Sequence, residues 1–175
     1  MTPELTPAMT PMWPGIALLA FVTFQRLTEL PVARRNTARL LAAGAHEVAP
    51  GHYPLVVSLH ASWLATLWWL APPQPIHQVY LALFFAIQLA RIWTLRTLGS
   101  RWTTRIIVVP HEKLVARGPY KYVDHPNYIV VIAEIALLPM VFGLWPVALL
   151  FSILNAIVLT IRIRAENHAL ESLRS

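Results

Sequence analysis

Five apolar stretches, each near the length of a bilayer-crossing helix, leave this chain few ways to fold. They run Trp13–Leu30, Tyr53–Ala71, Ile76–Leu98, Tyr128–Phe142 and Leu144–Ile163. About 20 apolar residues carry a helix across the hydrocarbon, where no water is present to satisfy exposed backbone groups. The expected fold is therefore an all-α integral membrane protein with about five transmembrane helices. The fourth stretch is short and is interrupted near its end by Pro139; with the fifth it forms a tight C-terminal hairpin around Gly143. Composition agrees. The chain is 57% apolar and only 13% charged, whereas a soluble domain carries about 25% charge.

The 175 residues read as one domain, 1–175, with three helices over 13–98 and a polar loop, hairpin and tail over 99–175. There is no cysteine, which excludes disulfides, a thiolate nucleophile and a cysteine metal site; no metal is expected. Met1–Trp13 carries no Lys or Arg, so it lacks the basic start of a secretory signal, and the first apolar stretch is expected to remain as a helix.

The basic residues set the expected orientation. Arg34, Arg35 and Arg39 lie between stretches one and two; Arg101, Arg105, Lys113, Arg117 and Lys121 between three and four; Arg162, Arg164 and Arg174 at or after the end of five. The opposite connections, Pro72–Pro75 and Gly143, carry none. Cytosolic loops collect Lys and Arg, so the N-terminus is placed outside and the C-terminus in the cytosol. The formal net charge of +6 is thus a matter of topology, and no nucleic-acid partner is expected.

Several polar residues fall within or beside the spans. Gln25 and Glu29 share a helix face, either as a snorkelling interfacial end or as the polar end of a substrate cavity. Pro31–His52 reads as a short interfacial helix and then a turn at Pro50-Gly51. His52 and His60 invite a haem reading, but a spacing of eight suits one helical face poorly, so structural or substrate-lining roles are expected. Trp63, Trp68 and Trp69 read as belt and packing residues. Gln88 and Arg91 are placed for an interhelical polar contact. Glu134 lies at hydrocarbon depth, where an ionisable group is a functional candidate, although a bond to Gln88 or Asn155 would explain it structurally. Ile106-Ile107-Val108-Val109 reads as a run packed against the membrane face.

The longest polar and aromatic run is Gly118-Pro119-Tyr120-Lys121-Tyr122-Val123-Asp124-His125-Pro126-Asn127-Tyr128, just before an apolar segment. Its prolines pin φ and remove donors, and its rings and amide equip it to hold a ligand at the membrane surface. Arg162 and Glu166, four apart, share a face where the last helix leaves the membrane. By spacing alone they form a surface ion pair.

Together these stretches resemble the isoprenylcysteine carboxyl methyltransferase family. Its run Leu-Val-x-x-Gly-x-Tyr-x-x-x-Arg-His-Pro-x-Tyr appears as Leu114-Val115-Ala116-Arg117-Gly118-Pro119-Tyr120 followed by Asp124-His125-Pro126-Asn127-Tyr128. Its later Arg-x-x-x-Glu element appears as Arg162-Ile163-Arg164-Ala165-Glu166. Two positions depart: Asp124 replaces the arginine before His-Pro, and Asn167 replaces a second glutamate. Gln25-Arg26 with Glu29, Ala33-Arg34-Arg35-Asn36 and Gly51-His52-Tyr53-Pro54 look like a bacterial branch implied to methylate alkylpyrones and alkylresorcinols.

The resemblance implies S-adenosylmethionine as cofactor, bound by the 99–128 loop on the cytosolic side of what is then a bacterial inner membrane. Carried over by position, Glu112, Lys113, Leu114 and Val115 would line the adenosine. Tyr120, His125, Pro126, Asn127 and Tyr128 would wrap the rest, and Glu166 would meet a polar cofactor group. Arg162 would face the acceptor, a lipophilic small molecule or a prenylcysteine. An acceptor already ionised needs only positioning; a phenol, with a pKa of about 10, needs a base, for which His125 and Glu29 are the candidates. Two other readings are an NADPH-dependent sterol-type reductase and a non-enzymatic haem-binding or transport protein using His52, His60 and Glu134. The transport version lacks the repeated halves such proteins often show.

Overall fold

The computed structural model describes residues 11–110 and 115–174, with side chains described as far as residue 168. Five helices account for most of it: α1 (Trp13–Ala42), α2 (Tyr53–Leu70), α3 (Gln78–Leu98), α4 (Pro126–Val141) and α5 (Trp145–Arg174). Two three-residue strands, β1 (His46–Val48) and β2 (Ile106–Val108), pair antiparallel with Glu47 opposite Ile107.

Three helices are long and apolar enough to cross a membrane: α1, α3 with the turn that continues it to Arg101, and α5 as far as His168. α4 is apolar but shorter. The outward faces are hydrocarbon, with Trp69 85%, Val79 72% and Leu89 70% exposed. In water that surface would be untenable, and in lipid it is the solvated face. The all-α membrane fold expected from the sequence is what the chain adopts.

The apolar core lies away from the basic end of the bundle. Leu19, Trp63, Leu67, Phe84, Ile135, Leu138 and Phe142 meet there. The α4–α5 turn closes with Gly143 at φ +67°, while the Leu144 N–H donates to the Pro139 carbonyl. A left-handed residue ends a helix at no steric cost only when it lacks a Cβ.

The other end holds the basic residues. There the structure departs from two sequence expectations. α1 does not stop at Leu30 but runs through Pro31, whose ring is exposed, to Ala42. The extension is fixed by tertiary contacts: buried Asn36 donates through Nδ2 to the carbonyls of Trp102 (2.8 Å) and Gly99 (3.3 Å), and Arg39 donates to that of Ser100 (2.7 Å). The run Ile106–Val108 is not a membrane-facing patch. It is β2, paired with β1, and both Ile106 and Val108 are buried.

Candidate functional site

The run beginning at Gly118 folds as a 3-10 turn, Gly118–Lys121, and then enters α4 at Pro126. Proline suits the first helical position, where its missing N–H is not needed. Gly118 has φ +57°, and a Cβ there would lie 2.5 Å from Thr97 Oγ1 on α3. The motif glycine is therefore required twice, by its dihedral and by the close approach of a neighbouring helix.

Entering α4 in this way brings Tyr128 against α5. The Tyr128 hydroxyl donates to Glu166 Oε2 and accepts from Arg162 Nε at 2.9 Å. Arg162 Nη2 donates to the Thr104 carbonyl, also at 2.9 Å. Arg162 and Glu166 are thus joined through the phenol rather than forming the simple surface pair that spacing alone implied. The His125 ring stacks on Tyr128, centroids 5.1 Å apart. His125 Nε2 lies 3.1 Å from Asn167 Oδ1, and Nδ1 lies 4.0 Å from Glu166 Oε2. Asn167, one of the two departures from the family pattern, therefore accepts from the imidazole without adding a charge. Tyr120 lies near enough to Glu166 for that carboxylate, after burial, to push its phenol above the ordinary tyrosine range.

Asn127 and Val115 are half-buried and Pro126 is buried. Glu112, Lys113 and Leu114 lie outside the described residues.

A model of the isoprenylcysteine carboxyl methyltransferase (ICMT) family matches residues 80–172, spanning α3, both motifs and the hairpin between them. The chain belongs to that family. The protein YpbQ of Bacillus subtilis (strain 168), uncharacterised, is 38% identical over 167 residues, covering 88% of this chain and 95% of its own. No solved structure matches. A membrane methyltransferase is the class this family defines, and its members use S-adenosylmethionine as methyl donor.

Within this ICMT-family chain, Glu29, the other base candidate, is not joined to the Tyr128 cluster. Arg91 holds it with two bonds, Nε to Oε1 at 2.8 Å and Nη2 to Oε2 at 2.5 Å. Arg91 also donates to Glu134 Oε2 at 3.0 Å, Arg26 donates to the same oxygen at 2.6 Å, and Gln88 donates to Oε1 at 2.8 Å. Gln25 closes the set by donating to Gln88 Oε1 at 3.0 Å. The expected Gln88–Glu134 bond is present, but two arginines dominate the glutamate's surroundings. Arg26 turns inward to Glu134 although it lies only four residues from the end of the first apolar stretch.

His60 Nδ1 is bonded to the Val56 carbonyl at 2.9 Å, as a structural histidine would be. Among the described residues no cluster of His, Cys, Asp and Glu could hold a metal ion. A further pair escaped sequence reading. Arg105 Nη1 contacts both Glu47 carboxylate oxygens at 2.8 Å, and its guanidinium sits 4.5 Å from the centre of the Tyr53 ring. This pair ties β1, the start of β2 and α2 together beside Thr104, whose carbonyl receives Arg162.

Proposed function

We propose that this protein transfers a methyl group from S-adenosylmethionine to a lipophilic acceptor at the cytosolic face of a bacterial inner membrane. The acceptor class is an alkylpyrone- or alkylresorcinol-type lipid, methylated on oxygen, or an isoprenylcysteine, methylated on its carboxylate. The observation that supports this most is the Arg162–Tyr128–Glu166 cluster, because two motifs that are separate in sequence converge on one hydroxyl.

The donor set suits the cofactor. S-adenosylmethionine, when bound, supplies an electrophilic methyl on a sulfonium cation. Tyr120, Tyr128 and His125 offer aromatic faces, which attract cations, and Glu166 offers the carboxylate that balances a positive charge or receives hydroxyl donors. Val115, Pro126 and Asn127 complete the proposed cofactor wall, with Glu112, Lys113 and Leu114 assigned by motif position.

Arg162 is assigned to the acceptor. Its planar fork is held at one edge by Tyr128 and Thr104, and a fixed guanidinium can orient an acceptor oxygen. Alignment contributes much of the acceleration in a displacement of this kind. For a hydroxyl acceptor the remaining demand is a proton sink. His125 stands in the cluster for that role; Glu29 would first have to give up its bonds to Arg91. The whole chain, 1–175, acts as one unit in this reading, with its N-terminus outside and its basic end in the cytosol.

The test is methyl transfer from labelled S-adenosylmethionine to a panel of alkylpyrones, alkylresorcinols and prenylcysteines by detergent-purified protein. Product from any of these supports the reading, and binding of NADPH in place of S-adenosylmethionine overturns it.

A further inference from the structure

The segment that links α3 to β2 is held carbonyl by carbonyl. Asn36 of α1 donates to those of Gly99 and Trp102, and Arg39 donates to that of Ser100. The Thr104 carbonyl goes instead to α5, where Arg162 Nη2 donates to it at 2.9 Å. The next carbonyl, that of Arg105, accepts from the Thr103 hydroxyl at 2.7 Å, which closes a tight bend around Thr104. From Ile106 onward the chain is in the ladder with β1. Thr104 itself lies between the turn ending at Arg101 and β2, and belongs to neither.

The Arg105 side chain ties that bend to two elements of the N-terminal half. Its Nη1 lies 2.8 Å from both oxygens of Glu47, in the middle of β1, and its guanidinium lies 4.5 Å from the centre of the Tyr53 ring, at the start of α2. The link between Glu47 and Tyr53 passes through Ala49, which sits in the left-handed region at φ +49° and ψ +55°. A residue with a Cβ stays there only where its surroundings over-determine it, as functional sites often do. Glu47 and Tyr53 flank Ala49 and both close on Arg105, so the ion pair and the ring contact supply that constraint.

We infer that Glu47 and Arg105, with Tyr53, are positioning residues: they hold the Thr104 carbonyl in place and so set the plane of the Arg162 guanidinium. A guanidinium is flat but rides on a flexible stem. Its Nε bond to the Tyr128 hydroxyl, at 2.9 Å, leaves the plane free to turn about that contact. The Nη2 bond to Thr104 is the second fixed point that stops the turning. That carbonyl directs Arg162 only while the bend is held, and the Arg105 contacts hold it. Because Glu47 neutralises Arg105, the bend adds no second unpaired cation beside Arg162. Neither residue belongs to the motifs that carry the proposed cofactor wall. The inference rests on the assignment of Arg162 to the methyl acceptor, and it brings β1 and α2 into the orientation of that acceptor. Groups that aim a reacting partner work only when their own geometry is locked by such outer contacts.

The test uses the full chain in nanodiscs as wild type, Arg105→Met, Arg105→Lys and Arg162→Lys, with labelled S-adenosylmethionine and either pentadecylresorcinol or N-acetyl-farnesylcysteine as acceptor. Arg105→Met should lower kcat about 5- to 10-fold, the scale of one lost hydrogen bond, with S-adenosylmethionine affinity unchanged. Arg105→Lys keeps the charge pair with Glu47 and should recover part of the loss. Lysine at position 162 has no plane to orient, so adding Arg105→Met to Arg162→Lys should cost nothing further. Losses that multiply in the double variant are those of general loosening and overturn the inference. If Arg105→Met does not fold, Glu47→Ala takes its place in the same cycle. A second readout needs no turnover. The Nε–H resonance of Arg162 in isotope-labelled protein, identified by its loss in Arg162→Lys, should exchange slowly with solvent in the wild type and faster in Arg105→Met; an unchanged rate overturns the inference. Failure of S-adenosylmethionine to bind beside an Arg105-dependent resonance sinks the methyltransferase and leaves Arg105 orienting Arg162 for another ligand. Methyl transfer indifferent to Arg105 sinks only the positioning.

Discussion

The Tyr128 hydroxyl and the Glu166 carboxylate, 38 residues apart, are joined by a hydrogen bond across the α4–α5 interface, and Arg162 completes the cluster from one turn earlier on α5. α4 carries the His-Pro-Asn-Tyr stretch and α5 carries Arg162 and Glu166, so the hairpin at Gly143 brings the motifs together. Glu166→Ala should therefore weaken S-adenosylmethionine binding about tenfold or more, the scale of a lost hydrogen bond to a charged group. Arg162→Ala should instead lower acceptor turnover with cofactor affinity nearly intact. Titration calorimetry and steady-state kinetics on the two variants read these outcomes separately.

Glu134→Ala leaves Arg26 and Arg91 with Glu29 as their one carboxylate, so the lattice carries a net positive charge inside the bundle. Removing one partner from a buried pair costs about 3–5 kcal/mol, so a large fall in melting temperature is expected in detergent. Glu134→Gln, which keeps an acceptor oxygen, should fall by less. Equal melting of all three proteins would mean that the lattice does not hold α1 to α3 and α4.

Gly118→Ala meets two penalties, a left-handed dihedral costing about 1–2 kcal/mol and a clash with the Thr97 hydroxyl. Adding Thr97→Ala should recover the steric part and leave the dihedral part. The readout is melting temperature together with cofactor affinity, because the turn leads directly into Tyr120 and His125.

Tyr120 gives a pH prediction of definite sign. Burial, then the Glu166 charge, raise its phenol above the unfolded value of about 10. The folded state therefore holds the proton more tightly. The stability this contributes is complete below pH ~10 and is lost as pH rises beyond that value. Tyr120→Phe should flatten the alkaline fall in melting temperature, and ultraviolet titration should show one fewer late-ionising tyrosine.

Much of this was legible in the chain because it depends on local pattern. The apolar stretches announce helices, and the four-residue spacing of Arg162 and Glu166 puts both on one face. What could not be read depends on distant contacts. Pro31 reads as a stop, yet Asn36 and Arg39 find carbonyls in the 99–102 turn, and those bonds carry α1 onward. Ile106–Val108 reads as a membrane-facing run until His46–Val48 supplies its strand partner. Glu29 is a plausible base by position, but Arg91, on another helix, holds both of its oxygens.

The most direct measurement is calorimetric titration of S-adenosylmethionine, with NADPH as a separate titrant, into the detergent-purified wild-type protein and its Glu166→Ala variant. Expected is binding of S-adenosylmethionine alone to the wild type, strongly weakened in the variant. Binding of NADPH instead, or S-adenosylmethionine affinity indifferent to Glu166, would contradict the site assembled around Tyr128.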